Sequence, residues 1–183
     1  MDKLSPRILE MIKGLSPAYF AMVMATGIVS IASQLLGMTG IARAMFMLNI
    51  FAYAVLLACT ILRFILYRPE FFKDLFSHTN GVGFFTLVTA TCVLGSQSVL
   101  LNGDYGMALI LWVVGIVLWL IVTYTVFITF TIKEDKPPLE VGINGAWLLA
   151  VVSTQALAVL SAQLSMHFEA HKLIINFFAF SMW

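Results

Sequence analysis

Charge is what this chain has least of: ten Lys and Arg and nine Asp and Glu are spread over 183 residues, 10% of the total. Soluble domains carry about a quarter, so the composition excludes a soluble globular fold and points to an integral membrane protein. The net charge of +1 supplies no basic surface, and nucleic acid is not expected as a partner. Cysteine is nearly absent. Cys59 and Cys92 both fall inside apolar runs and read as buried small side chains, not as a disulfide or a metal pair. The three histidines, His78, His167 and His171, have no HExxH or Cys/His spacing, so no metal or other cofactor is expected. No nucleotide-binding glycine loop occurs, and no Asp or Glu falls in the middle of an apolar run. An intramembrane enzyme or a proton-coupled pump would need such groups, and the chain is expected to be neither. The N-terminal MDKLSPRILEMIKG lacks the short apolar core and small-residue cleavage site of a secretory signal.

What is present is apolar: 61% of the residues are hydrophobic. A spanning helix needs about 20 such residues, and five runs qualify, at roughly 16–36, 42–66, 81–101, 105–131 and 144–166. A sixth begins near Lys172 as LIINFFAFSMW and reaches Trp183, too short to cross about 30 Å at 1.5 Å per residue. The expectation is an all-α transmembrane domain over residues 1–183, five complete helices and a partial sixth at 172–183, belonging to a longer protein. Lys3, Arg7, Lys13, Arg63, Arg68, Lys73, Lys133 and Lys136 lie in the N-terminal segment and every second loop, against Arg43 and Lys172 on the other side. That bias places the N-terminus in the cytoplasm of a multi-pass cell-membrane protein. Two charged segments read as surface helices. LSPRILEMIK carries Leu4, Ile8, Met11 and Ile12 on one side, and RPEFFKDLFSH carries Phe71, Phe72, Leu75 and Phe76.

The odd-numbered runs begin alike, with small residues before an aromatic: GLSPAYF from Gly14, GVGFF from Gly81 and GINGAW from Gly142. The period matches one helical hairpin and suggests an array of related hairpins. Roughly half of each odd run is Gly, Ala, Ser, Thr, Asn or Gln, against roughly a quarter of the even runs. Lipid-facing helices favour the second composition, and tightly packed or path-lining helices the first. This predicts an inner ring of odd helices and an outer ring of even ones. Helical spacing then draws three stripes as candidate pore linings: Tyr19, Thr26, Ser30, Ser33 and Gly37; Phe85, Thr89, Cys92 and Ser96; and Thr154, Ala158, Ser161 and Ser165. The same hydroxyls could instead bond back to their own helices and serve only close packing. Arg63, near the end of the second run, is expected to snorkel toward water.

Three stretches resemble one family in order: LSPAYFAMVMATGIVSIA its first helix, KDLFSHTNGVGFFTLVTATCVLGSQ its loop and third helix, and NGAWLLAVVSTQALAVL its fifth. The family is that of the tellurite-resistance/C4-dicarboxylate transporters, which includes the plant slow anion channels. Thr79 stands where relatives often have proline after the loop histidine. The resemblance implies ten helices as five hairpins, with the odd ones around a central pore, and assembly as a homotrimer. It also implies passage of a small anion, such as malate, sulfite, tellurite or an inorganic ion, by a channel or passive carrier. The family's gate phenylalanine belongs to a ninth helix, so no residue here takes that role. A sensor or scaffold subunit without transport is the alternative.

Overall fold

A computed structural model describes residues 6–134, 138 and 144–183. Lys3, Leu4, Lys136 and Gly142, invoked above for charge bias, amphipathicity and the third repeat, lie outside the described residues. Eight α-helices occur among the described residues: α1 (Pro6–Lys13), α2 (Phe20–Leu35), α3 (Thr39–Leu66), α4 (Arg68–Leu75), α5 (Phe85–Asn102), α6 (Tyr105–Ile132), α7 (Leu148–Ser165) and α8 (Lys172–Met182). Five are long and apolar enough to cross a membrane once their leading turns are included: α2, α3, α5, α6 and α7. The protein is thus a multi-pass, all-helical membrane protein. The second span starts at Thr39, three residues before the expected start.

The repeat read from the sequence has a physical form. Short 3-10 turns, Pro17–Tyr19, Gly81–Phe84 and Gly145–Trp147, lead into α2, α5 and α7. Ser16 caps the first by accepting from the Ala18 N–H at 3.3 Å, and Asn144 caps the third by accepting from the Ala146 N–H at 2.9 Å. The Gly81–Phe84 turn touches both of the others. The Thr86 hydroxyl ties two of these entrances together, lying 2.8 Å from the Pro17 carbonyl and 2.7 Å from that of Gly83. The N-termini of α2, α5 and α7 therefore gather at one end of the bundle, and each helix pairs closely with the helix that follows it.

The turn from α2 to α3 follows from one glycine. Gly37 has φ +79°, a conformation that costs glycine little. The Met38 N–H then reaches the Ser33 carbonyl at 2.8 Å and the Gly37 N–H that of Gln34 at 3.1 Å, the pair of bonds that ends a helix in a Schellman motif.

α5 is the axis of the fold. Every residue from Gly81 to Ser98 is buried, because α2, α3, α6 and α7 surround it. A helix packed on every side is best built from small residues where neighbours cross. A Cβ on Gly95 would fall 2.8 Å from Leu160 Cδ2 of α7, and one on Gly27 of α2 would overlap the Val93 side chain of α5. Outside α5 lie α3 and α6, whose exposed faces include Met47, Phe51, Ile110, Val117 and Ile121.

Buried polar side chains cross-link these helices. Asn49 Nδ2 of α3 donates to Gln97 Oε1 of α5 at 2.6 Å, and Tyr53 pairs with Thr91 at 2.8 Å. Asn49 Oδ1 and Gln97 Nε2 have no protein partner. Arg63 does not snorkel. It is only 4% exposed, with Nε donating to the Lys13 carbonyl at 3.0 Å and Nη2 paired with Asp74 of α4. Asp74 also accepts from Asn80 at 2.9 Å, and Lys13 pairs with Glu70 at 3.3 Å. A carboxylate on a neighbouring element gives the guanidinium a nearer partner than water. The cluster fastens α1 and α4 across the gathered helix entrances. The expected apolar faces are divided: Ile12 and Leu75 are buried, whereas Ile8, Met11, Phe72 and Phe76 are exposed.

Candidate functional site: a groove between alternate spans

α2 and α7 flank α5 without packing closely on each other, and the space between them is a groove of about 720 Å³. Met24, Ala25 and Ile28 of α2 form one wall, Thr89, Val93 and Ser96 of α5 the floor, and Val152, Gln155, Ala156, Val159 and Gln163 of α7 the other wall. No lining residue is charged. The register of α5 on α7 follows from Gly95 lying against Leu160. With both helices starting at the same end, that offset sets Thr89 within about one residue of Gln155 in height, and Ser96 within about two of Gln163, at 1.5 Å per residue. The polar groups of the floor and the α7 wall thus fall into two rungs, separated by apolar side chains.

Two of the stripe residues are on this surface, Thr89 and Ser96. Tyr19 is 57% exposed and outside the groove. Thr26 is half-buried and donates to the Met22 carbonyl one turn back, at 2.8 Å. Ser30 and Ser33 are buried, and Ser30 donates to the Ala42 carbonyl of α3 at 2.8 Å. Gly37 makes the turn already described. Phe85 and Cys92 are buried in the core, with Cys92 Sγ against Gly115 of α6.

The α7 stripe turns away from the groove toward its partners. Thr154 accepts from Trp119 Nε1 at 3.0 Å and Ser161 from Trp112 Nε1 at 2.7 Å, both tryptophans being on α6. Ala158 and Ser165 border a second cavity of about 500 Å³ between α7 and α8. Of the three stripes, Thr89 and Ser96 therefore border this groove, and the other stripe residues lie outside it. A hydroxyl on a membrane helix finds its best partner at a helix contact, because hydrocarbon offers none. Sequence reasoning missed Gln155 and Gln163. Their signal was available: they are the two amides of α7, eight residues apart, in positions the hydroxyl stripe did not use.

The groove floor differs from the rest of α5 in one respect. Thr86, Thr89, Thr91 and Ser98 all place their hydroxyls on carbonyl oxygens. Ser96 borders the groove with no hydrogen-bond partner among the described residues. On the facing wall, Gln163 Oε1 is buried and unpartnered, while Gln155 donates to the Trp183 carbonyl at 3.3 Å.

Residues 14–183 match the family model for voltage-dependent anion channels (SLAC1). The chain belongs to this family. An uncharacterized transporter of Methanocaldococcus jannaschii is 25% identical over 93% of the chain. The chain spans about half the length of that curated relative, 51%. No solved structure matches. Membership agrees with the resemblance carried by the first, third and fifth spans, the same three helices that bound the groove.

Proposed function

We propose that this channel-family chain forms one wall of a passive pore for small anions. The observation that carries the reading is an uncharged groove bounded by three helices whose N-termini gather at one end. Helix N-termini carry partial positive charge, which favours anions at that mouth. A wall without fixed cations does not hold an ion tightly, as rapid passage requires. No lining residue is an acid, a base or a metal ligand, so neither chemistry nor coupling to protons has a visible device there. The transported ion is drawn from small inorganic anions, sulfite, tellurite and C4-dicarboxylates such as malate. The surrounding architecture is the family's five-hairpin pore, present as a homotrimer in a cell membrane, with the N-terminus in the cytoplasm as the loop charges favour.

Flux assays with the complete gene product in proteoliposomes test this reading. Chloride or malate should move down its gradient faster than through empty vesicles, without a second ion. If neither moves when correct insertion is verified, transport is rejected. The competing reading, a sensor or scaffold subunit, is favoured by the many stripe hydroxyls occupied in helix contacts and would then take its place.

A further inference from the structure

We propose that Ser96 and Gln163 together form the hydrogen-bonding rung at which a passing anion exchanges water for protein, and that this rung sets selection among anions. The inference rests on the transport reading of the groove and assigns its specificity to two residues.

Ser96 is 5% exposed, borders the groove and has no hydrogen-bond partner among the described residues. A hydroxyl that opens on the groove without a protein acceptor is available to a ligand there. Its neighbours on α5 instead bond to carbonyls, so the free state of Ser96 belongs to its position facing the groove. Gln163 stands across from it within about two residues' height, with Oε1 buried and unsatisfied. An amide can turn to present either its carbonyl or its NH₂ group. A hydroxyl open to the groove and an amide on the facing wall define a place where a ligand with hydrogen-bonding capacity is stabilised. At the other rung Thr89 donates to the Phe85 carbonyl and Gln155 to that of Trp183, and between the rungs Ile28, Val93 and Val159 replace none of an ion's hydration.

The chemistry of the rung determines what it selects. Ser96 O–H and Gln163 N–H are neutral donors and can solvate an anion without trapping it. A compact, strongly hydrated anion such as chloride gives up more to enter the groove than a large, weakly hydrated one such as iodide. Chloride therefore depends more on the donors. Removing either donor should narrow passage to weakly hydrated ions, not simply slow every ion.

The test is the chloride-to-iodide flux ratio of the complete gene product in proteoliposomes, measured for wild type, Ser96→Ala, Gln163→Leu and the double variant. The ratio is internal to each preparation, so differences in folded yield cancel. One hydrogen bond to a charged group corresponds to roughly a tenfold or larger effect. Iodide loses a weaker version of the same bond, so Ser96→Ala should lower the ratio by a few-fold, less than that full effect, and the double variant should add less than the product of the two. Ser98→Ala removes a hydroxyl from the same helix that bonds to the Leu94 carbonyl, and it should leave the ratio unchanged. An unchanged ratio in both Ser96→Ala and Gln163→Leu overturns the rung while transport stands. An equal fall in Ser98→Ala overturns it too, since any disturbance of α5 would then suffice. Absence of wild-type flux for both halides overturns the rung, and the malate assay above then decides separately whether the transport reading falls with it.

Discussion

Removing the carboxylate of Asp74 should unfasten the cluster that joins α1, α3, α4 and the entrance to α5. In Asp74→Asn the Arg63 guanidinium keeps its bond to the Lys13 carbonyl and loses its charge partner. Arg63 is almost wholly buried, with 5% of its side chain exposed, whereas the Asp74 side chain is 21% exposed. Breaking a fully buried pair by deleting one partner costs about 3–5 kcal/mol. Partial access of water to Asp74 lowers that to about 2–3 kcal/mol. For a chain of this size, 1 kcal/mol corresponds to roughly 2–4 °C in Tm, so thermal unfolding in detergent should fall by about 4–12 °C. Arg63→Met/Asp74→Leu should recover much of the loss, because an apolar pair of similar volume can replace a buried ion pair at little cost. The physical claim is that the penalty comes from a stranded charge and not from a lost contact. A Tm for Asp74→Asn within 1 °C of wild type would refute it. So would a double variant that is as unstable as the two single changes summed.

The groove assignment predicts that Ala25→Trp or Ala156→Trp sharply reduces anion flux, while Ile110→Trp, on an exposed face of α6, leaves it near wild type; equal losses at all three would remove the assignment. Ser161→Ala leaves buried Trp112 Nε1 without its acceptor and should cost about 1–3 kcal/mol by thermal unfolding, with the chloride-to-iodide ratio unchanged. Asn49→Leu strands the Gln97 amide in the core and should cost a similar amount, again about 1–3 kcal/mol, whereas Asn49→Leu/Gln97→Leu should be milder than the single change. The Glu70 carboxyl is held below its ordinary value chiefly by a backbone N–H at the start of α4, and less by Lys13. Its folded-state pKa is depressed, so its stabilising contribution is present above the ordinary carboxylate value and disappears as pH falls through the lowered one. Carboxyl titration by NMR should show that Lys13→Ala raises the Glu70 value only part of the way back, while an unshifted Glu70 in wild type contradicts the backbone contact.

Much of the fold was legible because a bilayer restricts what a chain can do. Backbone polar groups have no partner in hydrocarbon, so a long uncharged run becomes a helix. The position of α5 was legible as composition: Thr86, Thr89, Thr91, Ser96, Gln97 and Ser98 would be costly facing lipid, and a helix carrying them needs neighbours on all sides. The hairpin period survives as the 3-10 turns before α2, α5 and α7. Arg63 was misread because its partner, Asp74, is eleven residues away on a separate helix, and spacing along one helix says nothing about such a contact.

The groove residues were less legible, for a reason specific to membranes. In a soluble protein a polar stripe on a helix marks the side facing water. In a bilayer, a Ser or Thr costs least where its proton is already committed to a carbonyl or its oxygen accepts from a tryptophan N–H, and such partners are found at helix contacts. Ser30 and Ser161 are of this kind. Periodicity therefore marked mostly the seams between helices, and only Thr89 and Ser96 of the stripes border the groove. The groove is also bordered by Ala25, Ile28, Val152 and Val159, which by residue type alone are indistinguishable from lipid-facing positions. What separates them is the geometry of three parallel helices that leave a gap. The informative polar residue in such a protein is the one whose hydrogen-bonding capacity is left unspent. By that criterion Ser96 and Gln163 differ from Ser161 and Thr154, although all four occur in the same two helices.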